Sequence, residues 1–186
     1  MGGRLVLVIG GVRSGKSRFA ERLAASWSPR VLYIATARPT DPELAARVAA
    51  HRARRPSSWS TSEEPLEPAR AIAAASGEMV VLLDSLTLLV ANALTHEPPL
   101  AAPAAHVERV VRDLIERGRA EQRRLIVVTD EVGQGGVALS PLGRRFADLL
   151  GDANQALAAA ADHVYYLLAG LAVDWRALAA ASGDIV

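Results

Sequence analysis

The chain has 186 residues, a net charge of +1 and no cysteine. That length suits one domain with a sizeable core, and the missing cysteine excludes disulfides, thiolate metal sites and a cysteine nucleophile. The near-neutral charge argues against a general electrostatic nucleic-acid binder; no stretch is long and apolar enough to span a bilayer and the first apolar run has no leader pattern, so a cytoplasmic protein is expected.

The run RLVLVIG at 4–10 lacks polar alternation and predicts a strand buried on both faces. GGVRSGKS follows at once, and Gly10, Gly15, Lys16 and Ser17 meet the spacing G-x-x-x-x-G-K-[ST]. Glycines there let backbone N–H groups turn inward around phosphate oxygens. Lys16 is expected to reach the β- and γ-phosphates and the Ser17 hydroxyl to join a Mg²⁺ shell. The helical pattern SGKSRFAERLAAS aims its N-terminus at the same anion. A strand before and a helix after separate the motif from a chance glycine turn.

RVLYIA at 30–35 predicts a second strand. From 37 to about 69 no strong strand signal appears. Thr40 or Asp41 with Pro42 and Glu43 marks a helix start, and Pro56 stops it, with Arg52, Arg54 and Arg55 in the last turn, where cations suit the helix dipole. His51 shares a face with Leu44, Val48 and Arg55; by pattern alone it reads as a half-buried side chain on a solvated basic helix more readily than as a nucleophile. The nearby arginines are expected to keep the imidazole neutral and to suit an anionic nucleotide. An irregular polar stretch follows.

MVVLLD at 79–84 predicts a third strand ending on Asp84, a place for the carboxylate that holds Mg²⁺ in P-loop proteins. VERVVRDLIERGRAEQ predicts a helix and RLIVVT at 124–129 a fourth strand. TDEVG then puts Glu131 and the loop GQGG at a strand's C-terminal end, which reads equally as a substrate contact or a capped turn. GRRFADLLGDANQALAAAAD places Phe146, Leu149, Leu150, Ala153 and Leu157 on one helical face before a fifth strand, HVYYLLAG at 163–170. LAVDW comes too soon for a helical crossover and predicts an antiparallel hairpin partner. Alternating strands and helices predict a doubly wound α/β sheet, mostly parallel with an antiparallel edge. His96, His106 and His163 show no partner pattern and are assigned no chemistry. Trp27, Trp59 and Trp175 are too scattered for a base-stacking platform.

Several stretches, in order, resemble one family: GGVRSGKSRFAE, VLYIATA, DPELAARVAAHRARRPSSW, TSEEP, LLDSLTLLVANAL, VVTDEVGQGGV and RRFADLLGDANQALAAAADHVYYLLAG. The family is the bifunctional adenosylcobinamide kinase / adenosylcobinamide-phosphate guanylyltransferase of cobalamin biosynthesis. The P-loop alone is unspecific, whereas YIAT, H-x-x-x-R-P-x-x-W, EVGQG and NQALAAAAD together are specific. The resemblance implies a P-loop NTPase fold, a RecA-like three-layer sandwich forming a single domain over 1–186, and a homo-oligomer, commonly a trimer. It implies two reactions. ATP or GTP phosphorylates adenosylcobinamide, and GTP then passes GMP through a guanylylated histidine, matched by His51, to adenosylcobinamide phosphate. Implied nucleotide contacts are Gly10, Gly11, Val12, Arg13, Ser14, Gly15, Lys16 and Ser17 in the P-loop, and Thr36, Ala37 and Arg38 after the second strand. Arg52, Ala53, Arg54, Arg55, Glu63 and Asp84 complete them, with Lys16 catalytic and Ser17 and Asp84 on Mg²⁺. The segment at about 37–69 becomes an arm carrying the nucleophile, and neither nucleic acid nor membrane is a partner. The chain departs from the family's usual pattern at VALSPLG after Gly136, at LAVDWRA after Gly170, and at Asp130, where asparagine is common. The competing expectations are a simple P-loop small-molecule kinase with HRARRP merely structural, and a RecA-type nucleotide-driven module, against which the modest charge and scattered aromatics stand.

Overall fold

Strand β1 (Arg4–Gly10) sends alternate side chains into two apolar layers, Leu5 and Leu7 to one and Val6 and Val8 to the other, and all four are buried. The structure, a computed structural model, describes residues 4–39, 42–53, 55–75, 80–120 and 123–182. The same double burial holds for β2 (Val31–Ala35), β4 (Val80–Asp84) and β5 (Arg124–Asp130). With β3 (Ser60–Glu63), β6 (His163–Leu168) and β7 (Leu171–Asp174) they form one seven-stranded sheet in the order β3-β2-β4-β5-β1-β6-β7. Every neighbouring pair is parallel except β6 with β7.

Helix α1 (Lys16–Trp27) packs on one face, its buried Ala20 and Ala24 small enough to bring the helix close to Val6, Val8 and Val128. After it comes α2 (Pro42–Ala53). The other face is covered by α3 (Pro68–Ala74), α4 (Leu86–Leu94), α5 (Pro103–Ala120) and α6 (Pro141–Ala160). The last helix is α7 (Trp175–Ser182). The arrangement is the expected three-layer α/β sandwich.

Three local readings are corrected. The polar stretch after α2 does contain a strand: β3, with sequence STSE, pairs with β2 in parallel at the sheet edge. Its side chains stay largely exposed, so backbone pairing rather than an apolar period makes it a strand. Arg55 lies beyond α2 rather than in its last turn, and its N–H donates to the Arg52 carbonyl at 3.2 Å. Pro56 disfavours helical backbone at the residue before it, which ends the helix early. LTLLVANAL, given no element from its pattern, is α4; its apolar residues are too dense for a period to show, and the Ser85 hydroxyl caps it by accepting from the Leu88 N–H at 3.3 Å. Thr40, Asp41 and Arg54 lie outside the described residues, as does the Leu44 side chain.

The expected hairpin is β6–β7. Its two-residue turn has Ala169 at φ 50° and Gly170 at φ 85°, the double left-handed geometry that such a turn requires. His163, assigned no partner from sequence, donates from Nδ1 to Asp174 Oδ2 across this hairpin at 2.7 Å. His106 sits within 3.2 Å of the Leu66 carbonyl and beside Arg109, in a structural cluster away from the P-loop.

Candidate active site

Parallel register brings the carboxyl ends of the strands to one edge, where open α/β sheets bind ligands. Gly10 of β1 lies level with Asp130 of β5, and Ala35 of β2 lies level with both Asp84 of β4 and Glu63 of β3. Since β5 stands between β1 and β4, Asp84 is two strand spacings, about 10 Å, from the P-loop strand.

The P-loop curls because Arg13 (φ 58°) and Gly15 (φ 96°) are left-handed. This alternation turns successive N–H groups to one side as an anion nest, and one of its two turns is carried by an arginine. Gly10 is needed for another reason: a Cβ there would lie 2.5 Å from the Leu167 carbonyl oxygen of β6 and 2.8 Å from Ser14 Oγ. Gly15 is the N-cap of α1, so the first free N–H groups of that helix face the loop. The Lys16 ammonium donates to the Gly11 carbonyl at 3.1 Å and pairs with the Asp130 carboxylate.

A cavity of about 230 Å³ opens over this edge. Of the residues expected from sequence, Val12, Arg13, Lys16, Ser17, Ala37, His51, Arg55 and Asp84 line it. Gly15 lines a neighbouring cavity together with Lys16, Ser17 and His51. Ser14 is buried behind the loop and Gly10 is packed against β6. Thr36 is wholly buried and serves as a clasp: its hydroxyl donates to the Ser85 carbonyl at 2.7 Å and accepts from the Ser85 N–H at 2.8 Å. Asn92 adds a bond from its amide to the Thr36 carbonyl, tying the ends of β2 and β4 to α4. Among the described residues, Arg38, Arg52, Ala53 and Glu63 are exposed and off the wall of the cavity, with Glu63 4.0 Å from Arg52.

His51 reaches the P-loop from the last turn of α2. Its Nδ1 stands 3.9 Å from the Glu21 carboxylate of α1, so the ring has a carboxylate beside it that the sequence reading, which expected arginines, did not include. Arg55 lies over the Tyr33 ring, 3.4 Å from its centroid, and donates to the Thr61 hydroxyl at 3.3 Å. It thereby pins the chain after α2 to β2 and β3. The Tyr33 hydroxyl in turn donates to Asp84 Oδ2 at 2.7 Å. Burial first, and the Asp84 charge second, push the Tyr33 phenol far above its ordinary value, against the lowering pull of Arg55. Tyr33 therefore stays a donor, holding one Asp84 oxygen in place.

Sequence reasoning passed over three residues here. Tyr33 was hidden inside an apolar run, and Glu21 carried no motif. Asp130 was noted only as a departure from asparagine, yet it meets Lys16. Its place is built with care: its N–H donates to the Thr87 hydroxyl at 2.7 Å, and its carbonyl accepts from buried Asn154. The following Glu131 donates from its N–H to the Gly10 carbonyl at 3.1 Å. The Glu131 side chain caps the N–H of Gly133 at 2.6 Å, which is the capped-turn reading of that loop.

A family model described as CobU, cobinamide kinase / cobinamide phosphate guanyltransferase, matches residues 6–175. The chain belongs to this family. Its relatives agree over nearly their whole length. The bifunctional adenosylcobalamin biosynthesis protein CobP of Pseudomonas aeruginosa is 42% identical over 89% of this chain and 93% of its own. The CobU protein of Salmonella typhimurium and that of Escherichia coli, also named bifunctional adenosylcobalamin biosynthesis proteins, are each 39% identical over 91% of this chain and 98% of their own. An ATPase domain of known structure shares the fold, with a TM-score of 0.50 at 15% identity over 88% of this chain and 68% of that one. The CobU fold is thus a RecA-like P-loop fold, and the chain is an enzyme with kinase and guanylyltransferase activities. The family description names both, against the expectation of a simple P-loop kinase.

Proposed function

We propose that the chain phosphorylates adenosylcobinamide with ATP or GTP, then transfers GMP from GTP to adenosylcobinamide phosphate by way of a guanylylated His51, giving adenosylcobinamide-GDP. The observation that carries this reading is that His51 lines one cavity with Lys16, Ser17 and Asp84. A nucleophile and a phosphate cradle share a wall there. In the kinase reaction the substrate alcohol attacks Pγ and a nucleoside diphosphate leaves; in the transferase reaction His51 attacks Pα and pyrophosphate leaves. Both leaving groups gather negative charge at the β-phosphate, where the P-loop N–H groups and Lys16 offset it. The imidazole makes the transfer two-step, conserving GMP as a reactive phosphoramidate. The segment at about 37–69 acts as the arm that brings His51 to Pα.

Ser17 and Asp84 present a hydroxyl and a carboxylate to the same cavity, the hard oxygen donors that Mg²⁺ takes alongside substrate phosphates. Tyr33 occupies Asp84 Oδ2 and leaves Oδ1 for the ion, so the residues present fit it. When bound, Mg²⁺ neutralises and orients the phosphate chain. Arg52, Arg54, Arg38 and Glu63 are proposed to close on the nucleotide from the arm and the ends of β2 and β3.

The reading includes a homo-oligomer, commonly a trimer in this family. Leu168, Leu171, Val173, Trp175 and Leu178 expose an apolar surface along β6, β7 and α7, which supports an interface there. Among the described residues no helix is long and apolar enough to cross a membrane, and a cytoplasmic enzyme without a nucleic-acid partner is proposed. The test is His51→Ala assayed separately for the two reactions. Phosphorylation of adenosylcobinamide should persist while GMP transfer falls to background, because attack on Pγ uses no imidazole nucleophile. Loss of both activities in a folded variant, or retention of both, contradicts the proposal.

A further inference from the structure

His51 stands at the seam of two cavities that differ in charge. The one already described has carboxylates on its wall, Asp84 and Asp130, beside its cations. The other, about 680 Å³, lies along the first turns of α1, and every charged residue lining it is basic: Arg13, Lys16, Arg18 and Arg22, with His51 at its rim. Arg18 and Arg22 are four apart on α1, so both side chains leave the same face of the helix and line the one cavity. Like charges at that spacing cost helix stability. Among the described residues, no carboxylate pairs with Arg13, Arg18 or Arg22 to offset the cost. A wall with carboxylates suits a phosphate chain that brings its own divalent cation. Arg13, Lys16, Ser17 and His51 line both cavities; among the described residues, the only charged ones the second adds are cations, Arg18 and Arg22, and that addition suits an anion that arrives without a divalent ion.

The proposed transfer has such an anion. Its acceptor is a phosphomonoester carrying close to two negative charges near neutral pH, and it must approach a second phosphate, the GMP on His51. Without cations between them the two anions repel.

We propose that the Arg13–Arg18–Arg22 bay binds the phosphomonoester of the acceptor during GMP transfer. The inference rests on the guanylyl-histidine reading and adds its acceptor subsite. In the step, an oxygen of the acceptor's phosphate forms a bond to Pα, the P–N bond to His51 breaks, and its electron pair returns to the imidazole nitrogen. The product carries a new P–O–P linkage and His51 is regenerated.

The test is equilibrium dialysis of adenosylcobinamide and of adenosylcobinamide phosphate, followed by the colour of the corrinoid ring, against the wild-type chain and Arg18→Gln/Arg22→Gln. The wild type should prefer the phosphate. The double variant should lose about tenfold in affinity for the phosphate, the scale of one charge-assisted hydrogen bond, with no loss for the alcohol. Arg18→Lys/Arg22→Lys should recover most of it. Both positions are exposed on α1, and a thermal melt checks that the variants are folded. An unchanged preference for the phosphate in the double variant overturns the inference, as does a wild type with no preference. A variant that loses GTP affinity instead overturns it too, by giving the bay to the nucleotide. Dialysis reads binding without turnover, so failure to find GMP on His51 would sink the underlying reading by a separate route.

Discussion

In the proposed mechanism the two reactions meet at Lys16. It is held over the P-loop by the Gly11 carbonyl and by Asp130, where the proposal puts the charge gathered by either leaving group. Lys16→Ala should therefore lower both turnover numbers, each by about 10²–10³, the usual cost of one charge-stabilising donor. Separate kinase and transferase assays at saturating nucleotide check this, and either activity surviving near the wild-type level would refute a shared cradle. Asp84 and Tyr33 form a second unit. Asp84→Asn should raise the Mg²⁺ concentration needed for half-maximal activity, and Tyr33→Phe should raise it in the same direction by less, since only the hydrogen bond that orients the carboxylate is lost. The stability cost of Tyr33→Phe should be about 1 kcal/mol. A Mg²⁺ titration beside a thermal melt separates these effects; a large drop in melting temperature with an unchanged Mg²⁺ requirement would make the pair structural.

The β6–β7 hairpin closes the P-loop side of the sheet, with the Gly170 N–H donating to the Ser14 carbonyl at 2.9 Å. Its closure depends on Asp174. Desolvation alone would raise that carboxyl, but hydrogen bonds from His163 and from the Ala177 N–H outweigh it and hold the group below its ordinary value of 3.8. A depressed carboxyl stabilises the fold fully above its unfolded value and loses that contribution as pH falls through the folded one. Asp174→Asn should thus lower the melting temperature by about 1–4 °C at neutral pH, the scale of a partly exposed pair, and the gap should close in strong acid. Melts at about pH 7 and about pH 2 test the sign, and an equal gap at both would remove the carboxylate from the account. This hairpin was readable in sequence because LAVDW follows too closely for a crossover. The strand β3 was not: STSE has no apolar period, and only the neighbouring backbone of β2 makes it extended. Helix α4 failed in the opposite way, being apolar at nearly every turn.

Across the chain, the sheet and its P-loop were legible because buried parallel strands write continuous apolar runs and the loop has fixed spacing. The site as a constellation was not. His51 looked ordinary on its own helix, and pattern alone could not say that the last turn of α2 comes back to α1 and sets it beside Glu21. Arg55 was read as a helix-end cation and turned out to pin that return through Tyr33. Thr36 carries a nucleotide contact by resemblance, but its side chain is fully used in joining β2 to β4. Long-range packing decided each of these, and no local period encodes it. The central claim that follows from the packing is a covalent one, that His51 carries GMP. It is tested most directly by incubating the chain with Mg²⁺ and GTP labelled at Pα, denaturing it, and mapping the label by peptide mass. Label should remain on the peptide containing His51, be lost in acid and survive alkali as a phosphoramidate does, and be absent when GTP is labelled at Pγ or when the chain is His51→Ala. Label on another residue, or label that persists in His51→Ala, would contradict the account.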